Sequence, residues 1–243
     1  MPVIYKPEDL SSLRESAYSF LKRKRISHVR GCEKEAVALA HLYGADPDKA
    51  AVAAILHDIT KALDLRNQLI LCDRYGIICD EIEIGSVSLL HSKTGACRAR
   101  ELFDIEQPVF DAIWWHTTGR PEMSLLDKVI YIADFIEPSR NFDGIDQLRN
   151  AASHSLDRAM ALGLKMSMEE IRSRGLPLHH NTADAYEYYK APHLPAVRTS
   201  TSMSSRRTAS SIGRRPILPP RFSRPCSRST SSIPTRMPRP RLC

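Results

Sequence analysis

The sequence predicts an all-α fold, a helical bundle over residues 1–194, followed by a tail of different composition over residues 195–243. Helix start and stop signals recur through the first 190 residues, and no segment shows the period-two pattern of a convincing strand. One segment, AAVAAIL at 50–56, is apolar on all sides. Such a segment is typical of a helix buried at the centre of a bundle.

Helix start and stop signals lie before the apolar segment in the first part of the chain. Ser27 is a candidate N-cap for a helix that ends near Gly44. Asp46-Pro47 then supplies an N-cap followed by a proline at the first helical position, which predicts the start of the apolar helix. Residues 64–85 show a less regular pattern, and we assign no helix to them.

The second part of the chain continues in the same way. Pro108 begins one helix, which Gly119 ends, and Ser124 with Asp127 forms a capping-box-like start for another, which Pro138 terminates. Asp127 therefore has two readings, as a capping residue or as a catalytic residue. The predicted helices of this part span residues 88–103, 109–118, 125–137, 145–173 and 182–189.

The positive charge of the chain is concentrated in its tail. Residues 191–243 contain eleven Arg and no Lys, Asp or Glu, so removing them from the net charge of +7 leaves about −4 for residues 1–190. The folded part therefore gives no electrostatic case for nucleic-acid binding. Because Ser, Arg, Thr and Pro dominate residues 195–243, we expect this tail to be disordered. Its foreign composition favours an altered reading frame over a lineage-specific extension.

Cysteine usage and the N-terminus point to a cytoplasmic protein. The six cysteines form no CxxC pair, which indicates reduced thiols rather than a disulfide framework. The N-terminal residues MPVIYKPEDL lack the apolar core of a signal peptide. No run of eighteen apolar residues occurs, so we expect no membrane span.

Six dispersed His and Asp residues carry the functional prediction. An adjacent imidazole and carboxylate in an apolar wall, as in AAVAAILHD, are costly to bury unless a partner satisfies them. A divalent metal is such a partner, and helical bundles build metal sites from inward-facing side chains of neighbouring helices. The sequence therefore predicts a metallohydrolase. The candidate ligands are His28, His57, Asp58, His91, His116 and Asp134.

The segments that carry these residues resemble a known family. AILHDITK, LLHSKTGA, WWHTTGR and LDKVIYIADFIEPSR are similar to motifs of the HD-domain superfamily of metal-dependent phosphohydrolases. More narrowly they resemble the YqeK-like family, the symmetrical bis(5′-nucleosyl)-tetraphosphatases of bacteria. The resemblance covers roughly residues 5–190, and the tail has no counterpart in the family pattern.

The resemblance implies an HD-domain helical bundle with an iron centre of one or two ions, although Mn or Mg also suits these donors. It implies that His28, His57, Asp58 and Asp134 hold the principal metal. His91 and His116 either complete a second metal site or contact the substrate phosphates, and both alternatives stay open. Asp58, His91 and His116 are the expected catalytic residues.

Basic and hydroxyl side chains near these ligands are candidate substrate contacts. Lys61 is a natural phosphate contact or else a cation at a helix C-terminus. Arg140 suits bidentate phosphate binding, and Arg25 either does the same or lies on an exposed face. Thr117 either donates to phosphate or caps its helix. By resemblance, the loop from Pro177 to Thr182 contacts the nucleotide.

The expected reaction is therefore the symmetrical hydrolysis of diadenosine tetraphosphate, a dinucleoside polyphosphate, to two ADP by metal-activated water. One alternative is an HD-domain phosphohydrolase that acts on mononucleotides or cyclic nucleotides. A second alternative is a nucleic-acid-associated protein that acts through the basic tail, although the tail contains only one aromatic residue, Phe222, for base stacking. We expect no membrane partner, and a homodimer is an open alternative to a monomer.

Overall fold

The computed structural model describes residues 7–191, and every regular element in this range is a helix. This confirms the all-α prediction for the described part of the chain. The predicted boundary at residue 194 and the predicted disordered tail lie outside the described residues. The helices are α1 Pro7–Tyr18, α2 Arg23–Tyr43, α3 Pro47–Leu56, α4 Leu65–Tyr75, α5 Glu81–Ile84, α6 Val87–Phe103, α7 Gln107–Trp115, α8 Leu125–Ile136, α9 Ile145–His154, α10 Leu156–Ser173 and α11 His180–Lys190.

Helix α3 lies at the centre of the bundle, as its apolar sequence predicts. The side chain of Asp46 accepts hydrogen bonds from the backbone N–H groups of Asp48 and Lys49 (3.0 and 3.1 Å), and Pro47 follows it. Every residue from Ala50 to Leu56 is buried, and α3 packs against α1, α2, α6, α7 and α8. Helix α3 is therefore surrounded by neighbouring helices that can direct side chains toward its end.

Helices α8 to α11 support this centre from one side. The α8 helix begins with the predicted capping box, in which Ser124 and Asp127 exchange hydrogen bonds between side chain and backbone. Helix α10 packs against α8, α9 and α11. In the part of the chain that the structure describes, no helix combines the length and the apolarity needed to cross a membrane.

Three of the predicted helix boundaries are wrong. Helix α7 ends at Trp115, three residues before the predicted end, and residues 116–118 form a turn. Helix α2 begins at Arg23, not after Ser27, because the Arg and Lys residues of the RKR segment are good helix formers that extend the helix upstream. The predicted helix over 145–173 is two helices, separated at Ser155. Ser155 has an extended backbone (φ −160°), and its hydroxyl accepts from the N–H of Arg158, so it ends α9 and caps α10.

The stretch from 64 to 85, predicted to be irregular, contains α4 and α5. A polar residue at a core position hides the periodicity of α4, since Gln68 lies on its buried face. Its amide donates to the carbonyl oxygen of Thr60 (2.8 Å) and accepts from the hydroxyl of Thr94 (2.5 Å). These two bonds satisfy the buried amide, so a polar side chain occupies a site where the sequence pattern requires an apolar one.

Candidate metal centre

The six predicted ligands converge at the end of α3. Five helices contribute to the cluster, and all of its side chains except that of Asp134 are almost completely buried. Overlapping groups of three have ligand atoms within 4.8 Å of one another. The cluster consists of His28 from α2, His57 and Asp58 at the end of α3, His91 from α6, His116 at the end of α7, and Asp134 from α8.

Asp58 lies between two halves of the cluster. Its Oδ2 is 3.2 Å from Nε2 of His57 and 3.7 Å from Nε2 of His28. Its Oδ1 is 3.2 Å from Nε2 of His91. The two oxygens of one carboxylate therefore face two different sets of histidines.

The spacing of the remaining donors matches metal coordination. Nε2 of His28 is 3.0 Å from Oδ1 of Asp134, and the Nε2 atoms of His91 and His116 are 3.1 Å apart. Two donors that each lie about 2.1 Å from one ion at a right angle are roughly 3 Å apart. The distances between neighbouring side chains in the cluster are thus those expected for ligands of a shared divalent ion.

Buried atoms without a hydrogen-bond partner also fit a metal. Nε2 of His28, Nε2 of His57 and Oδ1 of Asp58 are buried, and none of them has a hydrogen bond of acceptable geometry within the described residues. A buried polar atom without a partner is costly. Imidazole nitrogen and carboxylate oxygen are the usual donors to divalent metals, so an ion bound among these atoms would remove that cost.

The helix ends fix the ring orientation of two histidines. Nδ1–H of His57 donates to the carbonyl oxygen of Ala54 (2.6 Å), and Nδ1–H of His116 donates to that of Ile113 (2.7 Å). Both histidines are C-cap residues, and the last carbonyl groups of a helix have no partner within the helix. Because the proton is on Nδ1, the lone pair of each Nε2 is directed into the cluster.

The electrostatic environment favours ionised carboxylates and neutral rings at two of the histidines. Burial lowers the pKa of His57, but the neighbouring carboxylate of Asp58 outweighs it and raises that pKa. Burial raises the pKa of Asp58, but His57 and His91 outweigh it and hold that pKa well below its usual range. The pKa of Asp134 is also held well below its usual range, because His28 outweighs the effect of burial. Burial lowers the pKa of His91 and, more strongly, that of His116. Ionised carboxylates and neutral imidazoles are the forms that bind metal ions.

Three predicted phosphate contacts lie directly at the cluster. Arg25 donates from Nε to Oδ2 of Asp58, so it does not simply cover an exposed face. Arg140 donates to Oδ1 of Asp134 (2.6 Å) and to its carbonyl oxygen (2.9 Å). Lys61 has Nζ 3.1 Å from Nε2 of His91 and belongs to the turn after α3, so it is not a cation in the last turn of a helix.

The other predicted substrate contacts lie outside the cluster. The hydroxyl of Thr117 is 2.9 Å from that of Ser92 in α6, one residue after His91. Pro177 is exposed, and Thr182 is buried in the first turn of α11. In the described range, no hydrogen bond or ion pair joins Pro177 or Thr182 to the six-residue cluster.

A second group of potential ligands near this loop has a structural explanation. Nε2 of His179 is 3.1 Å from Oδ2 of Asp80, and His180 lies beside it. However, Nδ1 of His179 accepts the backbone N–H of Asn181 (3.2 Å). The proton of a neutral His179 is therefore on Nε2, which can donate to Asp80 but cannot bind a metal. His179 is therefore the N-cap residue of α11, and its contact with Asp80 joins α11 to the N-cap of α5.

Three residues near the cluster have structural roles. Asp127 forms the capping box of α8 and accepts from Arg120 (3.2 Å). Trp114 and Trp115 are buried in the core.

Sequence reasoning missed Glu137, which is buried and has Oε1 3.0 Å from Nδ1 of His28. A signal existed, because a carboxylate is unfavourable at the C-terminal end of a helix unless it has a partner.

Comparisons with known proteins agree with this geometry. The family described as "HD domain" matches residues 25–139, which include the whole cluster. A Halalkalibacterium halodurans protein named "Bis(5'-nucleosyl)-tetraphosphatase, symmetrical" is 38% identical over 167 residues, which cover 68% of this chain and 89% of that protein. A Bacillus subtilis protein of the same name is 34% identical over 180 residues, with coverages of 72% and 96%.

A solved structure is also similar. The crystal structure described as a predicted HD superfamily hydrolase involved in NAD metabolism, from Clostridium acetobutylicum, is 37% identical and has a TM-score of 0.71. The match covers 74% of this chain and 96% of the other. HD domains bind divalent metals, and the donor set of this chain suits such ions. The chain therefore belongs to the HD-domain hydrolases, in the family of the symmetrical bis(5′-nucleosyl)-tetraphosphatases.

Proposed function

We propose that this chain is a divalent-metal-dependent hydrolase that cleaves diadenosine tetraphosphate symmetrically into two ADP. The observation that carries this proposal is the buried cluster of His and Asp donors with three basic side chains at its border. Metal ligands next to phosphate-binding cations suit the hydrolysis of a phosphoanhydride. The relatives named for this activity support the choice of substrate.

We further propose that the cluster would hold two divalent ions. His28, His57 and Asp134 would be ligands of one ion, His91 and His116 would be ligands of the other, and Asp58 would contribute to both. The separation of its two oxygens supports this arrangement, with Oδ2 near His28 and His57 and Oδ1 near His91. His91 and His116 are then ligands of the second ion and not phosphate contacts. We propose iron as the native metal on the basis of the family, while Mn and Mg suit the same nitrogen and oxygen donors.

The basic residues hold the polyphosphate chain in this proposal. Arg140 offers a planar guanidinium that can bind a phosphate with two hydrogen bonds, and Arg25 and Lys61 offset further negative charge. Bound divalent ions supply a nucleophilic water near neutral pH and stabilise negative charge. Symmetrical cleavage requires attack at an inner phosphorus, so these residues must hold one ADP-like half in a fixed register. Thr117 and the loop from Pro177 to Thr182 are proposed contacts for the remainder of the nucleotide.

The expectations of a cytoplasmic location and a homodimer remain predictions. The product of the proposed reaction is ADP alone, because cleavage of the central phosphoanhydride bond divides the substrate into two equivalent halves. This equivalence makes product identity the most direct test of the function.

The test is chromatography of the products formed by the iron-loaded full-length chain from diadenosine tetraphosphate, with Asp58→Ala as the control. ADP alone, absent from the control, is the expected result. Formation of ATP plus AMP would show that the chain is a hydrolase, but it would refute the proposed position of the substrate relative to the metal. NAD is the second substrate to include, because the similar crystal structure is described as involved in NAD metabolism. Turnover of mononucleotides alone would favour the other HD-domain phosphohydrolases.

A further inference from the structure

A carboxylate outside the six-residue cluster contacts one of the proposed ligands. Nδ1 of His28 lies 3.0 Å from Oε1 of Glu137, and both side chains are buried. An ionised carboxylate can only accept a hydrogen bond, so Nδ1 of His28 carries a proton, and a ring whose Nε2 binds a metal is the Nδ1–H tautomer. The lone pair of Nε2 is then directed toward Asp58 and Asp134.

His28 needs such a partner because of its position in the chain. His57 and His116 end their helices and donate to carbonyl groups that the last helical turn leaves free. His28 lies in the second turn of α2, where the backbone carbonyl groups are bonded within the helix. The acceptor for its Nδ1–H therefore comes from a different element, at the C-terminal end of α8, where Glu137 is the C-cap residue.

The side chain of Glu137 is held in place from several sides. Its Oε2 accepts the backbone N–H of Ser139 (2.8 Å), and its Oε1 accepts the hydroxyl of Ser139 (2.5 Å). Arg149 from α9 donates to the carbonyl oxygens of Ile136 and Arg140 (both 3.1 Å), which fixes the backbone of the same turn. The carboxylate thus presents a fixed acceptor to the histidine.

A glycine in α2 provides the space for this carboxylate. Gly31 follows His28 by three residues, so both lie on one face of the helix. A Cβ atom at position 31 would lie 2.6 Å from Oε2 of Glu137 and 3.1 Å from Cδ of Pro138. Glycine inside a helix is less favourable than alanine, and here the close approach of Glu137 explains its presence.

We propose that Glu137, in the space left by Gly31, is a positioning residue that fixes the tautomer and orientation of His28 toward the metal. This inference rests on the proposed function, in which His28 is a metal ligand. Loss of an outer hydrogen-bond partner of a ligating histidine typically lowers metal affinity roughly 10–100-fold. We expect a loss of this size when Glu137 is changed or displaced.

The change Glu137→Gln reverses the polarity of the contact. Only an oxygen can accept the N–H of Ser139, so the amide oxygen of the glutamine occupies that position and its NH₂ group faces His28. Nδ1 of His28 then becomes an acceptor and Nε2 carries the proton, which prevents it from binding a metal. Gly31→Ala displaces Glu137 without changing its chemistry, so the two variants test the same contact from opposite sides.

The experiment titrates Mn²⁺ into the metal-free full-length chain and measures free Mn²⁺ by electron paramagnetic resonance. Glu137→Gln and Gly31→Ala should each weaken binding roughly 10–100-fold. Two matched controls should bind like the wild type. Glu169→Gln changes an exposed glutamate, and Gly163→Ala adds a Cβ that meets no atom closer than 3.7 Å.

Nuclear magnetic resonance of ¹⁵N-labelled histidine separates positioning from a general structural effect. Nδ1 of the His28 ring should carry a proton in the metal-free wild type and none in Glu137→Gln. A proton that stays on Nδ1 of His28 in Glu137→Gln, or wild-type Mn²⁺ affinity in both variants, would overturn this inference. Neither result would contradict the proposed function. Failure of the wild type itself to bind Mn²⁺ would overturn the proposed metal set, and this inference with it.

Discussion

Replacing His116 by alanine distinguishes a second metal ligand from a phosphate contact. Its Nε2 lies 3.1 Å from that of His91, on the side of the cluster that Oδ1 of Asp58 faces. If these three atoms hold the second ion, His116→Ala leaves only two protein donors. We expect the affinity of that ion to fall by more than the roughly 100-fold that loss of an outer partner can cost, or more than about 2.7 kcal/mol.

The assay is metal content per chain by mass spectrometry after desalting, together with kcat and KM for diadenosine tetraphosphate. The wild type should retain two ions and His116→Ala one, with a fall in kcat. His154→Ala is the matched control, because His154 is an exposed histidine of α9. If His116→Ala retains two ions and its KM is raised, His116 is a phosphate contact and not a ligand of the second ion.

Three further predictions concern residues away from the ligands. Gln68→Ala removes two buried hydrogen bonds and leaves a cavity, so we expect a loss of about 2–4 kcal/mol and a melting temperature lowered by roughly 4–16 °C in calorimetry. Asp127→Ala removes a capping box and should cost about 1–2 kcal/mol in urea unfolding while kcat/KM stays at the wild-type value, whereas a large loss of kcat/KM would restore the catalytic reading. For Glu83, burial raises the pKa, but contacts with His179 and Lys93 outweigh it and lower the pKa from 4.5 to about 2. Its contribution of up to about 3 kcal/mol is therefore complete above about pH 4.5 and is lost as the pH falls toward 2, and Glu83→Gln should flatten this acid-induced loss in urea unfolding between pH 6 and 2.

Local chemistry decided which helices could be predicted from the sequence. The starts of α3 and α8 depend on caps whose partners lie within three residues, so Asp46 and Ser124 indicated both correctly. Helix α4 was missed because Gln68 is satisfied by Thr60 and Thr94, which both lie outside this helix. The break at Ser155 involves neither glycine nor proline, and its one local signal, a serine cap whose partner is the N–H of Arg158, was overlooked.

The same distinction applies to the site. Each of the six proposed ligands could be found because it lies at or near a helix end or on a helix face that also carries apolar residues, and the fold brings all six together. The role of Glu137 could not be found in this way, since it depends on a contact between α2 and the end of α8. The reason for Gly31 is likewise visible only once the two helices are packed together.

The direction of the helices supports a metal and phosphate site independently of the side chains. Helices α3 and α7 both end at ligands of the cluster, His57 and His116, and α8 ends two residues after Asp134. The C-terminal end of a helix carries a partial negative charge, so three such ends favour cations at this point. Arg25 lies in the first turn of α2, whose N-terminal end is partially positive and favours anions. The bundle therefore brings helix ends of opposite polarity to the cluster, as a site that binds divalent ions next to a polyphosphate requires.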